Sequence, residues 1–332
     1  MALRPPPIRI LFMGTPEFAL PAFNALYNDS QNRFEVCLVL SKPDAPAGRG
    51  LIHKPSVISQ AALALGIELH RPKQLKGLEY QHLLQRVEEL RIDVAVVTAY
   101  GMLLTEQLIE APLHGTVNIH ASLLPRWRGA APIERAILAG DAVSGVTIQQ
   151  VRLALDSGSV YARTETEIAN KSYSDLQGEL ALLGASLLVD SLPGIVSGEL
   201  VGQEQDASLV TYANKVEKHD LLLDPYIPAE LNVRRVQAAS TRNPARAVIA
   251  GRGVRVMQAR LLSADTTTNR PSIGFMGISP SDGALLLGTV DGSVAIYELA
   301  ADGKRPMGAG DFVRGLQIKV TDPDFKWSKW NS

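Results

Sequence analysis

Residues 115–120 read Gly-Thr-Val-Asn-Ile-His and run directly into Ala121-Ser122-Leu123-Leu124-Pro125-Arg126-Trp127-Arg128-Gly129-Ala130-Ala131-Pro132. Thr116 to Ile119 has the length and β-branched content of a buried strand. Asn118 and His120 stand two residues apart where that strand should end, and strand alternation turns both toward one side. Ligands of open α/β sheets bind outside the carboxyl ends of the strands, so this polar pair carries more weight here than elsewhere in the chain.

The segments around it show whether such a sheet exists. Ile8 to Gly14 and Phe34 to Leu40 read as strands; Pro16 to Leu26 and Ser56 to Leu65 read as helices; Pro43 to Gly50 is a Pro/Gly-rich loop. Further strands fit Ile67 to Leu69, Asp93 to Ala99 and Val146 to Val151. Continuous apolar strands alternating with helical spacing predict an α/β fold, a doubly wound and mostly parallel sheet. Ser174 to Leu188 carries a helical stripe of leucines that is expected to stop near Pro193-Gly194. After a polar connection and a helix near Pro228 to Ala239 the texture changes. Arg246 to Ala250, Gly253 to Leu262, Ser272 to Ile278, Ala284 to Val290 and Ser293 to Leu299 are short strands broken by turns such as Asp282-Gly283 and Asp291-Gly292. They predict a small C-terminal β-barrel of the OB-like kind. The expected domains are 1–205, a linker at 206–225, and 226–332.

Bulk properties narrow the class. At 332 residues, 46% hydrophobic and 20% charged, the chain can build two cores and is not of disordered composition. A single cysteine, Cys37, permits neither a disulfide framework nor a cysteine zinc site. No uninterrupted apolar run approaches a membrane span, and the N-terminus lacks a signal core, so a cytoplasmic address and no membrane partner are expected. Residues 219–332 hold 14 basic and 11 acidic side chains, and Leu231 to Ala264 contains seven arginines and no acid. Such a run attracts polyanions, although a solvated basic face explains it equally well.

A carboxamide and an imidazole at a strand end can donate to an oxyanion, and the imidazole can also move a proton. Alone, the pair is better explained as satisfied structural side chains. Asp156, in Leu155-Asp156-Ser157-Gly158 just past the Val146 to Val151 strand, can return over the same rim to orient His120 and take up a proton through water; an ordinary Asp-Ser-Gly turn is the competing reading. Gly14-Thr15-Pro16-Glu17 lacks the glycine spacing of a dinucleotide site, and the scattered histidines suit no ligand pair, so neither a nicotinamide cofactor nor a metal is expected.

Asn118 to Ile133 resembles the signature of the methionyl-tRNA formyltransferase family, within the folate-dependent formyltransferase superfamily. The likeness extends to Phe12-Met13-Gly14-Thr15-Pro16-Glu17-Phe18-Ala19, Pro46-Ala47-Gly48-Arg49-Gly50, Ala99-Tyr100-Gly101, Leu155-Asp156-Ser157-Gly158 and Thr211-Tyr212-Ala213-Asn214-Lys215. It implies a Rossmann-like formyltransferase domain, with 10-formyltetrahydrofolate as formyl donor and methionylated initiator tRNA as acceptor, in a protein expected to be a monomer. It implies catalysis by Asn118, His120 and Asp156. Folate contacts fall at Ser122, Leu123, Leu124, Pro125, Tyr100 and Gly101, and tRNA contacts at Arg49, Lys54, Arg126 and Arg128. The chain departs from the family pattern at Ala45, Leu51, Ile52 and Ser159. Two rivals stay open: transfer to an amino sugar nucleotide, and a non-catalytic tRNA-binding module.

Overall fold

Four consecutive residues of the first strand, Ile10 to Met13, are fully buried, as expected of a strand with helices over both faces. The computed structural model describes residues 5–47, 52–262, 271–318 and 322–330 of the chain. By contact density it divides into two compact units: Met1–Pro132, Val143–Glu167 and Gln177–Ala213 in the first; Ile133–Ala142, Ile168–Leu176 and Asn214–Ser332 in the second.

In chain order the strands of the first unit are β1 (Ile8–Gly14), β2 (Phe34–Leu40), β3 (Ala45–Ala47), β4 (Ile52–Lys54), β5 (Glu68–His70), β6 (Val94–Thr98), β7 (Thr116–His120), β8 (Arg128–Gly129), β9 (Val143–Gln150), β10 (Val160–Glu167) and β11 (Tyr212–Ala213). Helices α1 (Leu20–Tyr27), α2 (Val57–Ala64), α3 (Gly77–Glu89), α4 (Glu106–Glu110), α5 (Pro132–Ala139) and α6 (Tyr173–Ser197) lie between them in sequence. The central sheet is seven-stranded, ordered β10-β9-β7-β6-β1-β2-β5. β5, β2, β1, β6 and β7 are parallel, while β9 and β10 are added antiparallel. The chain winds outward from β1 to β5, then returns to β6 beside β1. The switch point where ligands bind such sheets therefore opens at the carboxyl ends of β1, β6 and β7.

Several details differ from the sequence reading. The Pro/Gly-rich loop carries a hairpin, β3 pairing antiparallel with β4, and its Gly48-Arg49-Gly50 tip lies outside the described residues. Helix α3, which buries Tyr80, Leu83 and Val87 on one stripe, fills a stretch left unassigned. Helix α6 does not stop at Pro193 but runs to Ser197. A proline inside a helix orphans the carbonyl four residues earlier. Here that carbonyl, Val189 O, accepts from Arg33 at 3.5 Å, a partner 156 residues away. Among the described residues α6 is also the one helix long and apolar enough to cross a membrane by length and composition. Its Leu180, Leu188 and Leu192 are fully buried. At Gly184 it comes so close to the sheet that a Cβ would stand 2.7 Å from Ile119 Cγ2 and 3.2 Å from Val146 Cγ1.

The second unit contains α7 (Ala229–Gln237) and strands β12 (Ala245–Ile249), β13 (Arg252–Leu261), β14 (Met276–Ile278), β15 (Leu285–Gly288) and β16 (Ser293–Ala301), followed by β17 (Met307–Gly308), α8 (Ala309–Arg314) and β18 (Trp327–Ser328). The antiparallel order is β14-β15-β16-β13-β12-β18. A Phe275–Lys326 bridge and the Met276 N to Phe325 O bond bring the two ends together, giving a nearly closed barrel. Alternation along β12 sends Ala245, Ala247 and Ile249 inward to meet Val256, Leu285, Phe325 and Trp327. The acid-free arginine run does not form one free patch. Arg234 donates to Ala139 O, Arg235 to Leu222 O, and Arg246 pairs with Asp302 at 3.1 Å and stacks over Trp330.

Candidate active site

β7 delivers its two polar residues to the carboxyl end of the sheet, between β6 and β9. Asn118 lies in register with Val97 on β6 and with Gln149 on β9. Ile119, between Asn118 and His120, points the other way and is buried under α6. Alternation thus anchors the strand through one residue and turns its two neighbours to the opposite face.

Asp156 comes to the same point from the turn after β9. Its backbone takes a left-handed φ of 48°, uncommon for a side-chain-bearing residue and tolerated best by Asp, Asn and His. The carboxylate accepts from three donors: Gln149 Nε2 at 2.9 Å and Asn118 Nδ2 at 3.5 Å on Oδ1, Gly129 N at 2.9 Å on Oδ2. His120 Nδ1 lies 3.6 Å from Oδ1, with both side chains nearly buried. Gly129 can come this close because it has no side chain. Its φ is 126°, and a Cβ would stand 2.8 Å from Ala213 O. Ser159 is accommodated two positions past the aspartate's neighbour Ser157. Its hydroxyl donates to Glu204 at 2.7 Å and accepts from Arg152 at 2.9 Å.

The histidine is oriented from its other side. Nε2 is 2.9 Å from Trp127 O, and a carbonyl only accepts, so Nε2 carries the hydrogen and Nδ1 is the nitrogen turned to Asp156. Trp127 has a left-handed φ of 64°, and its N–H donates to Thr211 Oγ1 at 2.9 Å. β8 and β11 pair in parallel immediately beside this contact. The Thr211-Tyr212-Ala213 stretch therefore belongs to the site's framework rather than to a plain connection.

The other sequence candidates divide by exposure. Ser122 and Leu124 are buried; the Ser122 hydroxyl donates to Arg126 O at 2.6 Å, and the Leu124 N–H donates to Thr147 Oγ1 at 3.1 Å. Of Ser122 to Pro125, only Leu123 and Pro125 are partly exposed. Tyr100 turns its ring into the core with Leu11, Tyr80 and Leu108, where burial pushes its hydroxyl up to about 12. Its strand end presents exposed Gly101, beside the Lys42 ammonium, and the Tyr100 carbonyl bonded to Thr15 Oγ1 at 2.8 Å. Arg126 stacks over Trp127 at 4.3 Å, and Lys54 is exposed on β4. Arg128 directs Nε and a terminal nitrogen to Gln205 Oε1. Sequence reasoning missed Gln149 and Gln205. Gln149 is readable in retrospect as Asn118's cross-strand partner, whereas nothing local marks Gln205. Among the described residues no group of three or more His, Cys, Asp or Glu side chains could hold a metal ion.

Known proteins resemble the chain over most of its length. The formyl transferase family model matches residues 8–192, and the model of the formyl transferase C-terminal domain matches residues 215–317. The chain is 39% identical over 312 residues to the methionyl-tRNA formyltransferase of Paracoccus denitrificans, covering 94% of this chain and 98% of that one. It is 39% identical over 307 residues to that of Methylococcus capsulatus, covering 92% and 96%. Among solved structures, HypX from Aquifex aeolicus in complex with tetrahydrofolic acid shares the fold, with a TM-score of 0.62 at 16% identity over 92% of this chain and 46% of that longer one. With both domain models matched in order and close relatives aligned almost end to end, the chain belongs to the methionyl-tRNA formyltransferase family of formyl-transferring enzymes.

Proposed function

We propose that this chain transfers a formyl group from 10-formyltetrahydrofolate to the α-amino group of methionine esterified to initiator tRNA, using Asn118, His120 and Asp156. The observation that carries the reading is the convergence of these three side chains at the switch point of the sheet. The folate supplies an activated one-carbon unit. Residues present at the rim suit such a donor: the main chain at Gly101 with the Lys42 ammonium beside it, and the apolar surface of Leu123 and Pro125.

Asn118 holds an N–H donor only loosely, at 3.5 Å from Asp156, so the amide is ready to donate to the oxygen of the formyl group as negative charge develops there. Loss of one such donor costs about 100- to 1000-fold in rate. The attacking amine becomes cationic and must shed a proton; as its bond to the formyl carbon forms, the bond from that carbon to the folate nitrogen breaks, and that nitrogen leaves carrying a proton. Asp156, an acceptor surrounded by donors, and His120 Nδ1 beside it are the groups within reach. Trp127 O keeps the imidazole from rotating, so Nδ1 stays on the reacting side.

For the acceptor, exposed Lys54 and Arg126, with Arg49 in the loop tip outside the described residues, are proposed contacts to tRNA; the barrel unit at 226–332 supplies further basic surface. Arg128, expected from the resemblance to contact tRNA, is assigned instead to the frame of the site, because its guanidinium is engaged with Gln205. Formyl transfer to methionylated initiator tRNA, compared with elongator tRNA and an amino sugar nucleotide, tests the assignment. Formylation of the sugar nucleotide with no product on tRNA would overturn it.

A further inference from the structure

The Asp156 carboxylate ends a chain of side-chain amides that begins on a cation. Arg128 donates through Nε and a terminal nitrogen to Gln205 Oε1 at 3.1 and 2.8 Å. A guanidinium only donates, so the Gln205 oxygen must face it and the NH2 must face away. That NH2 reaches Asp156 O at 2.9 Å and Gly158 O at 2.8 Å, and lies 3.4 Å from Gln149 Oε1. Gln149 is almost fully buried, and with its oxygen turned to Gln205 it directs its own NH2 to Asp156 Oδ1 at 2.9 Å. Reversing either amide would set N–H against N–H and oxygen against oxygen, so each orientation dictates the next.

The same short segment grips the turn on every side. Gln203 makes a two-way backbone bridge with Val160, at 2.7 and 2.8 Å. Glu204 holds Ser159 and Arg152. Arg128 is also the neighbour of Gly129, whose N–H binds the other carboxylate oxygen. A left-handed aspartate persists only where its surroundings over-determine it, and here one glutamine side chain bonds the carbonyls at the start and end of the bend.

We propose that Gln205 is a positioning residue for catalysis: oriented by Arg128, its amide fixes both the Asp156 turn and the Gln149 side chain, and so sets the carboxylate against His120. The inference rests on Asp156 acting as proton acceptor. A lost second contact that lets a reacting group drift by about 1 Å costs on the order of 100-fold.

The test is steady-state formylation of methionylated initiator tRNA by the full chain and its variants. Gln205→Ala lowers kcat by about 10- to 100-fold and leaves KM for both substrates within about twofold. Arg128→Ala lowers kcat in the same way, and the double variant is no more than about twofold worse than Gln205→Ala, since Arg128 acts through Gln205. Gln205→Glu keeps the shape and the acceptor for Arg128, so it guards against a folding artefact, but it has lost the donor and falls at least as far as Gln205→Ala. Wild-type kcat in Gln205→Glu overturns the inference. So do multiplicative effects in which Arg128→Ala raises KM for tRNA, because Arg128 would then contact the substrate directly. A wild-type chain inactive on methionyl-tRNA would instead defeat the functional reading, before any variant is compared.

Discussion

Asp156→Asn is nearly isosteric, yet the structure denies it a neutral fit. The carboxylate offers acceptors on both oxygens: Gln149 Nε2 and Asn118 Nδ2 approach one, Gly129 N the other. An asparagine has one acceptor oxygen and one NH2. If its oxygen serves Gln149, its NH2 opposes the Gly129 N–H; if it serves Gly129, the NH2 opposes that of Gln149. Either way one charge-assisted hydrogen bond is lost at a side chain only 11% exposed, a net cost of about 1.5–3 kcal/mol. For a unit of this size that lowers the melting transition by about 3–12 °C. Chemistry suffers more, because the carboxylate proposed to accept the proton is gone: a loss of about 10²- to 10⁴-fold in rate is expected. Scanning calorimetry and single-turnover formylation measure the two effects separately. A variant that keeps its melting transition and formylates within about threefold of wild type would refute both the donor accounting and the assigned role.

The remaining expectations concern the framework and the acceptor. Gly184→Ala gains about 1 kcal/mol of helix propensity but drives a methyl into Ile119, so net destabilisation of about 1 kcal/mol by thermal melting is expected, with a fall in kcat because Ile119 separates Asn118 from His120. Thr211→Val removes the hydroxyl that accepts the Trp127 N–H, which should lower kcat through His120, whose Nε2 rests on Trp127 O; unchanged kinetics would count against that anchoring. Hydrogen bonds from Arg33 hold Asp29 below the usual carboxylate range, and those from Arg152 and Ser159 hold Glu204 down to about 2. Their folded-state values lie below the unfolded ones, so this stabilisation is complete near pH 6 and is lost as pH falls from about 4 toward 2; melting scans at pH 6 and pH 3 should show the drop, and Asp29→Asn should reduce it. Affinity for tRNA should fall by about 0.7–0.9 logarithmic units per neutralised phosphate for each tenfold rise in salt, and Lys54→Ala should shallow the slope by about one phosphate in filter-binding titrations.

Much of the fold was legible because its signals are local. The buried runs Ile8 to Gly14 and Phe34 to Leu40 became β1 and β2 with those bounds, and Ser56 caps α2 through its bond to the Ser59 N–H. The asparagine and histidine of β7 were legible for the same reason, since period-two alternation is a property of the strand alone. Helix α6 was legible only up to its proline: nothing near Pro193 announces that Arg33 will serve the orphaned carbonyl. The arginine run misled by the same omission. Charge along the chain does not say that Arg234 and Arg235 spend donors on carbonyls of their own unit.

What the sequence by itself determined is the pair of polar side chains at the end of β7, the proposed reacting groups, and the face they share, because covalent spacing and strand geometry leave little choice. Tertiary structure alone decided which nitrogen of His120 faces Asp156, that Tyr100 gives its ring to the core, and that Gln149, Gln205 and Thr211 hold the site in place. Those outcomes depend on hydrogen-bond partners 7 to 84 positions apart in the chain. Such partners are selected by burial and donor direction only after the sheet has formed, and no local pattern encodes them.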